Sequence, residues 1–314
     1  MLISAAQAQD TLALEKTIPL PGVSGRIDHL SADVAGRRLF VAALGNNTVE
    51  ALDLAAGSRI RSLPGFQEPQ GLVYIPDLGK LFVADGGDGA VRILGGKSLQ
   101  VANTVGFADD ADNVRYDPAE KQLYVGYGKG ALGVVDALGG KRLADVKLDG
   151  HPESFQLEKA GSRIFVNVPT AGHIAVIDRR KRSVIAKWPV TQAGANFPMA
   201  LDEPGRRLFI GCRKPAKVVV FDTATGQASA EFACVGDTDD LFYDAARKRL
   251  YISGGEGFIS VFDLRDAGRY QQVAKIATAA GARTSLFVPD LDRLYLAVPR
   301  RGSQGSEIRV YQPR

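Results

Sequence analysis

Short apolar runs, separated by turns rich in Gly, Asp and Arg, recur along the whole chain. The stretch 237–263 shows the pattern most plainly, with runs at 241–243, 249–253 and 258–262. Aromatic and β-branched residues dominate each run, and Gly, Asp or Arg bounds it. The pattern predicts three consecutive β-strands joined by tight turns, with an acidic stretch at the start of the first.

The same unit repeats along the sequence. Its second run carries an aliphatic residue at a constant place, and these places are 41 to 44 residues apart: Leu39, Leu81, Leu123, Ile164, Leu208, Leu250 and Leu294. A third run follows each of them, and a fourth, weaker run follows most. Units of about 40–45 residues with four strands are typical of propeller blades. The sequence therefore predicts an all-β fold, a seven-bladed β-propeller of four-stranded blades.

The two ends of the chain complement each other in this pattern. The last unit reaches Arg314 after only three runs, and residues 13–19 form a β-run that precedes the first unit. We expect this N-terminal strand to be the outer strand of the seventh blade. Such closure removes a free sheet edge.

The repeated strings RLFVA, KLFVA, QLYVG, RIFVN, RLFIG, RLYIS and RLYLA, and the later strings such as IAVID and VVVFD, resemble those of YVTN-repeat, YncE-like seven-bladed propellers. The resemblance runs from about Ile18 to Arg314. It implies the propeller fold. It leaves the activity open, because such families include lactonase-like enzymes, binding proteins and members without a known role.

The first residues are similar to the end of a secretory signal. Residues 6–8 (AQA) have the small-x-small form of a cleavage site, and a polar segment follows. We interpret residues 1–10 as a signal remnant and 11–314 as a single propeller domain, which predicts a periplasmic or secreted protein. An ordinary N-terminal extension is the alternative.

The composition gives no sign of a polyanion-binding, disulfide-rich, zinc-knuckle or membrane-spanning protein. The formal net charge is only +4, and the two cysteines, Cys212 and Cys234, have neither metal-knuckle spacing nor the number needed for a disulfide framework. No apolar run approaches the length of a membrane span, about 20 residues. We expect a monomer, with a small-molecule ligand or substrate as its partner.

Loop charge separates into two faces. The turns between first and second strands, and between third and fourth strands, are basic, as at residues 37–38, 179–182 and 247–249. Solvated hairpin turns explain this pattern, and a docking face for an anionic surface or nucleic acid is the alternative. Aromatic residues are not interleaved with the charges, which disfavours single-stranded nucleic acid.

The residues that lead into each first strand, here called the entrance of a blade, are acidic and polar. Aligned on the apolar residues, one position reads Asp28, Gln70, Asp112, Glu153, Phe197, Asp239 and Arg283. The next position includes His29, Asn113 and Asp240, and the preceding one includes Asn196. We expect these side chains to converge at the top of the central channel and to form a pocket. A solvated polar ring is the alternative.

A divalent metal is one way to neutralise carboxylates gathered at one place. The predicted metal ligands are His29, His151, Glu153, Asp239 and Asp28. Histidine with carboxylate suits zinc or a similar ion such as manganese, whereas an all-oxygen set would suit calcium. Gln70, Asn113, His173, Asn196 and Phe197 are the predicted pocket residues.

Two functions remain open. One is metal-dependent hydrolysis of a small ester, lactone or phosphoester, with Asp112 or Asp240 as general base and Arg283 stabilising the oxyanion. The other is a non-catalytic ligand-binding or cell-envelope scaffold propeller. Nucleic-acid binding through the basic face is a weaker third.

Overall fold

The computed structural model describes residues 11–266 and 268–314, and within them the chain forms 28 β-strands in seven four-stranded antiparallel sheets. Each sheet is one repeat of the sequence, so the fold is the expected all-β seven-bladed β-propeller. The signal remnant proposed for residues 1–10 lies outside the described residues. The sheets are numbered below as blades 1 to 7 in the order of their first strands.

Residues Gly22–Lys187 form one compact unit, which contains blades 1 to 4 up to Lys187. Its strands are β2 (Leu30–Asp33), β3 (Arg38–Ala43), β4 (Thr48–Asp53) and β5 (Ser58–Leu63) in blade 1; β6 (Pro69–Ile75), β7 (Lys80–Asp85), β8 (Ala90–Gly95) and β9 (Val101–Gly106) in blade 2; β10 (Ala111–Asp117), β11 (Gln122–Tyr127), β12 (Ala131–Asp136) and β13 (Lys141–Lys147) in blade 3; and β14 (Phe155–Leu157), β15 (Arg163–Val168), β16 (His173–Asp178) and β17 (Ser183–Pro189) in blade 4.

The second compact unit contains the N-terminal strand and residues Trp188–Arg314. Its strands are β18 (Gly194–Asp202), β19 (Arg207–Lys214), β20 (Ala216–Asp222) and β21 (Ala228–Ala233) in blade 5; β22 (Thr238–Asp244), β23 (Arg249–Gly254), β24 (Phe258–Asp263) and β25 (Gln271–Ala277) in blade 6; and β26 (Ser285–Val288), β27 (Arg293–Val298), β28 (Glu307–Pro313) and β1 (Leu12–Pro19) in blade 7. Single 3-10 turns lie at Leu44–Asn46, Pro76–Leu78, Pro169–Ala171 and Pro289–Leu291.

The N-terminal strand closes blade 7, as the sequence predicts. β1 pairs antiparallel with β28 from Leu12↔Pro313 to Pro19↔Glu307. β28 therefore has a hydrogen-bonded neighbour on each side, and the outer position of the blade is filled by the start of the chain. The expected closure is confirmed.

The cores lie between neighbouring sheets within each unit. The middle strands alternate apolar residues on both faces, as in RLFVAA at 38–43, and are almost fully buried. In blades 1 and 2, Phe40 and Ala42 of β3 pack with Leu81 and Val83 of β7. Blades 5 and 6 pack in the same way through Phe209 and Leu250. Burial on both faces explains why these runs are continuously apolar.

An ion pair between an aspartate and an arginine, here called the bracket, closes several of the turns between first and second strands. In blade 5, Asp202 accepts hydrogen bonds from Arg207 at 2.7 and 2.9 Å. The Arg207 guanidinium lies over the rings of Phe209 and Tyr243, at 5.4 and 5.7 Å from their centroids. Blade 1 repeats the arrangement with Asp33 and Arg38. The basic turns of the sequence are thus partly internal ion pairs, which favours the interpretation as hairpin turns over a docking face.

The two cysteines are free thiols. Cys212 pairs with Lys217 of β20, and Lys217 pairs in turn with Ala233 of β21, the residue before Cys234. One strand therefore separates the two cysteines, a spacing of roughly 9–10 Å that exceeds what a disulfide can bridge.

Candidate functional site

An extra residue lies within the first strand of blades 2, 3, 5 and 6 and marks the entrance of each. Between Ala111↔Tyr127 and Val114↔Val125, three steps along β10 match two along β11, so Asp112 and Asn113 share one partner position. The same offset occurs in β6, β18 and β22. In blade 1, the Asp28 N–H donates to the Ala42 carbonyl, and the Ala42 N–H donates to the His29 carbonyl. Such bulges redirect side chains and are frequent beside functional sites.

Blades 4 and 7 keep this pattern just before their shorter first strands. Glu153 and Ser154 both bond the backbone of Asn167, and the Ala297 N–H donates to the Thr284 carbonyl. The bulge therefore falls on the residues that the sequence alignment placed at one register. Asp28, Glu153 and Arg283 precede their strands rather than lying within them.

His151 and Asp112 form the central pair of the entrances in blades 1 to 4. The imidazole Nε2 lies 3.6 Å from Asp112 Oδ2, and the side chains are 22% and 9% exposed. The imidazole Nδ1 donates to the Gly128 carbonyl at 2.6 Å. Both ring nitrogens thus face acceptors, an arrangement that suits an imidazolium.

The pKa values of this pair move apart. Burial alone would lower the pKa of His151, but its contacts with Asp112, the Gly128 carbonyl and Asp110 outweigh burial and raise the pKa to about 9. Burial alone would raise the pKa of Asp112, but His151, His29 and Arg26 hold it below its ordinary value. The pair is therefore charged at neutral pH.

Asp110 connects this pair to blade 2. Its Oδ2 lies 3.6 Å from His151 Nδ1, and its Oδ1 accepts a hydrogen bond of 2.9 Å from Gln70 Nε2. The side chain of Asp110 is half exposed. Contacts thus run from Gln70 through Asp110 and His151 to Asp112, across blades 2, 3 and 4.

Blade 1 contributes a second acid with its own cations. Asp28 is 1% exposed, and its Oδ2 accepts a hydrogen bond of 2.7 Å from Arg26 Nη2. His29 Nε2 lies 3.7 Å from Asp28 Oδ1. His29 and Arg26 also act electrostatically on Asp112, so the structure brings Asp28, His29, Asp112 and His151 into one cluster.

The other predicted residues of this unit take different places. Glu153 is half-buried at the entrance of blade 4. Asn113 is 2% exposed, and its Oδ1 has no hydrogen-bond partner among the described residues. His173, a predicted pocket residue, is the first residue of β16, where it pairs with Val168. Its Nε2 lies 3.5 Å from Asp149, a carboxylate that also binds Lys187.

A cleft of about 480 Å³ opens beside the His151 cluster in blade 3. Ten residues line it: Ala108, Asp109, Tyr127, Gly128, Lys129, Gly130, Ala131, Asp145, Lys147 and Leu148. It shares Gly128 with the cluster, since the Gly128 carbonyl binds His151. The volume falls in the range of small-molecule sites, about 300–1,000 Å³.

The walls of this cleft are held in place. The Tyr127 hydroxyl binds Asp145 at 3.0 Å and Arg142 at 2.7 Å, and the Tyr127 ring packs against Phe107. Gly130 has a φ of +149°, and a Cβ there would lie 2.6 Å from the Leu148 carbonyl oxygen. Only glycine suits both the conformation and the space.

The entrances of blades 5 to 7 hold a separate cluster. Asp239 Oδ1 accepts a hydrogen bond of 2.5 Å from Arg213 Nη2, and Asp239 Oδ2 lies 3.0 Å from Arg283 Nε. Arg283 Nη1 also donates to Asp237 Oδ1 at 3.0 Å. Arg283 therefore neutralises acids within the protein.

The remaining predicted residues of blades 5 to 7 surround that cluster. Asp240 is 8% exposed and accepts a hydrogen bond of 2.8 Å from the Ser285 N–H. Phe197 presents its ring to Arg213, whose guanidinium carbon is 3.8 Å from the centroid. Asn196 is fully buried beside Cys212 in β19.

Cations of the protein occupy the positions that a metal was expected to neutralise. Within residues 11–266 and 268–314, no group of three or more His, Cys, Asp or Glu side chains has the spacing of a metal site. Asp28, Asp112 and Asp239 contact Arg26, His151 and Arg213, respectively. A metal at His151 would have to displace its proton, because only the neutral ring is a ligand. The metal assignment stays a prediction.

Sequence reasoning missed three participants, Arg26, Asp110 and Arg213, and it placed Asp237 at the acidic entrance without giving it a role. Arg26 and Asp28 are two residues apart in one extended stretch, so a period of two would have placed them on one side. Arg213 lies at the end of β19, in a strand longer than its counterparts. In the sequence, the only sign of Arg213 was the basic pair at residues 213–214, which follows an apolar run.

No helix among the described residues has both the length and the apolar character of a membrane span.

Comparisons with known proteins agree with the repeat analysis. No protein-family model matches the chain. Over 187 residues it is 24% identical to the uncharacterized protein YncE of Salmonella typhimurium, and to that of Salmonella typhi to the same degree. These matches cover 58% of this chain, and the chain spans about half the length of the curated relatives it matches. The expected resemblance to YncE-like propellers is confirmed at this distance.

Solved structures resemble the fold. The chain superposes on a chain of Kuenenia stuttgartiensis hydrazine synthase with a TM-score of 0.77 at 16% identity, covering 88% of this chain and 95% of that chain. For a chain of the mitotic checkpoint complex the TM-score is 0.80 at 14% identity, with coverages of 95% and 91%. At such identities the likeness shows the fold alone.

Proposed function

We propose that the protein is a non-catalytic binding propeller that holds a small zwitterionic molecule in the cleft of blade 3. The observation that supports it best is the charge of the cleft lining. Lys129 and Lys147 offer ammonium groups and Asp109 offers a carboxylate, around a volume of about 480 Å³, whereas Asp145 is already paired with Arg142 at 2.6 Å. A ligand with one carboxylate and one ammonium group would find a partner for each.

Two features favour binding over chemistry. The lining residues include no Ser, Thr, Cys or His, and the hydroxyl of Tyr127 is bonded to Asp145 and Arg142. The neighbouring His151 has both ring nitrogens directed at acceptors and a raised pKa, so it does not offer a lone pair as a general base at neutral pH. The packed wall at Tyr127 keeps the cost of ordering the cleft low.

We expect Lys147→Ala to weaken binding about three-fold, because an ion pair between the ligand and this exposed lysine is lost. The proteinogenic amino acids serve as probes, first by thermal shift and then by isothermal titration calorimetry. Lys141→Ala is the matched control, since Lys141 is an exposed lysine at the opposite end of the same strand, β13. Failure of every probe to bind, or equal losses in the two variants, would contradict the proposal.

Metal-dependent hydrolysis stays a prediction and has its own test. Hydrolysis of p-nitrophenyl acetate is measured with added Zn²⁺, Mn²⁺ or Ca²⁺ and with chelator. Turnover that requires the metal and disappears in Asp112→Asn would favour the hydrolase over the binding protein. Export to the periplasm or beyond also stays a prediction.

A further inference from the structure

Two arginines from different blades meet on one buried carboxylate in the unit that contains blades 5 to 7. Arg213 extends from the end of β19, and Arg283 lies just before β26. Asp239, whose side chain is 10% exposed, contacts Arg213 through one oxygen and Arg283 through the other. One carboxylate thus serves two guanidinium groups and neutralises one of their two charges.

The charge of the second guanidinium group is balanced by Asp237, a carboxylate that is more exposed than Asp239. Asp237 is 43% exposed, and its Oδ1 lies 3.0 Å from Arg283 Nη1 and 3.8 Å from Arg213 Nε. This oxygen contacts both guanidinium groups, a position that suits an oxygen of a carboxylate or phosphate ligand. The Asp237 carboxylate therefore lies where the anionic group of a ligand would bind.

Contacts within the protein fix the orientation of Arg213 and the backbone position of Arg283. Arg213 Nε donates to the Thr238 carbonyl at 2.8 Å, and its plane rests on the Phe197 ring. The Arg283 carbonyl accepts a hydrogen bond of 2.7 Å from the Ser253 hydroxyl, which fixes the backbone that carries the side chain. Fixed forks of this kind bind planar or tetrahedral oxyanions through two hydrogen bonds.

Two further charged groups contact glycines close in sequence to Arg283 and Asp237. The guanidinium of Arg301 lies against Gly281, close enough that a Cβ on that glycine would be 2.8 Å from Arg301 Nε. Glu256 accepts a hydrogen bond of 3.0 Å from the Gly236 N–H, beside Asp237. The surroundings thus add one cation and one carboxylate.

We propose that Arg213 and Arg283 form a binding site for the carboxylate or phosphate group of a small molecule, and that the ligand displaces Asp237. Asp239 stays in place as the buried counter-charge. The site is independent of the cleft in blade 3, so either proposal can fail without the other.

Replacing the internal occupant tests this site directly. Asp237 has a φ of +51°, a conformation that asparagine tolerates, so Asp237→Asn keeps the backbone while it removes the competing charge. We expect Asp237→Asn to bind phosphate or succinate at least about ten-fold more tightly than the wild type. Calorimetric titrations with each anion, at ionic strength held constant with NaCl, measure this and separate the two ligand classes.

Second substitutions distinguish the site from a general charge effect. In the Asp237→Asn background, Arg283→Lys keeps the charge but loses the fork, and it is expected to cancel the gain. Arg300→Gln, which changes an exposed arginine outside the cluster, is expected to keep it. If Asp237→Asn binds neither anion more tightly than the wild type, or if Arg300→Gln and Arg283→Lys reduce binding equally, the site is refuted.

Discussion

Raising the pH through about 9 is expected to lower the free energy of unfolding by about 2 kcal/mol through His151. The folded state raises the pKa of His151 from 6.5 to about 9, so its stabilisation is complete below pH 6.5 and is lost as the pH rises through about 9. The whole shift would correspond to about 3 kcal/mol. Because 22% of the side chain is exposed, solvent screening reduces the expected value.

Urea denaturation at a series of pH values measures this loss. In His151→Gln the stability is expected to be nearly flat between pH 6.5 and 9. His173→Gln, which removes a histidine held by Asp149, is expected to retain the wild-type loss. The pKa of Asp112 is held below its ordinary value, so the carboxylate side of the pair weakens only as the pH falls below about 4. A His151→Gln curve that matches the wild type would contradict the account.

Arg207→Met is expected to destabilise the protein by about 3 kcal/mol. Asp202 is 8% exposed at its side chain and has Arg207 as its bracket partner, so the substitution leaves a buried carboxylate without its counter-charge. The methylene stem of methionine can still pack over Phe209 and Tyr243, which isolates the loss of charge from the loss of packing. Denaturant midpoints at pH 7 measure the effect.

A second substitution separates the missing charge from the missing contact. Arg207→Met combined with Asp202→Asn is expected to recover most of the loss, because no unpaired charge remains buried. Arg180→Met, which changes an exposed arginine in the turn after β16, is expected to alter stability by less than about 0.5 kcal/mol. Equal losses in Arg207→Met and in the double variant would show that the charge pair is not the cause.

The strands were predictable because the repeat fixes them several times over. Leu39, Leu81 and Leu123 occupy the same place in successive sheets, and alternation at a period of two carries that register to the entrances. This is why Asp28, Asp112 and Asp239 were aligned correctly although none of them is part of the core. The bulge at each entrance preserves the alignment, since it recurs at the same step.

The partner that blade 5 provides for Asp239 was not predictable, for a physical reason. Arginine has a long side chain, so Arg213 in blade 5 reaches Asp239 in blade 6, and the separation in sequence gives no sign of it. The cleft of blade 3 was also not predictable from the sequence, because three separate segments form it: the entrance loop, the turn after β11 and the end of β13. The metal prediction rested on the carboxylates, the histidines and Arg283, and it did not include Arg26 or Arg213.

The central claim is that Asp28 and Asp112, at the entrances of blades 1 and 3, are neutralised by the protein's own cations, with His151 as the imidazolium beside Asp112. The most direct measurement is an NMR titration of the His151 imidazole, with and without one equivalent of Zn²⁺. It is feasible because the chain has only three histidines, and His29→Gln and His173→Gln assign the signals. The account predicts a midpoint near pH 9 that equimolar zinc leaves unchanged. A midpoint at or below about 6.5, or zinc displacing the proton at neutral pH, would contradict it.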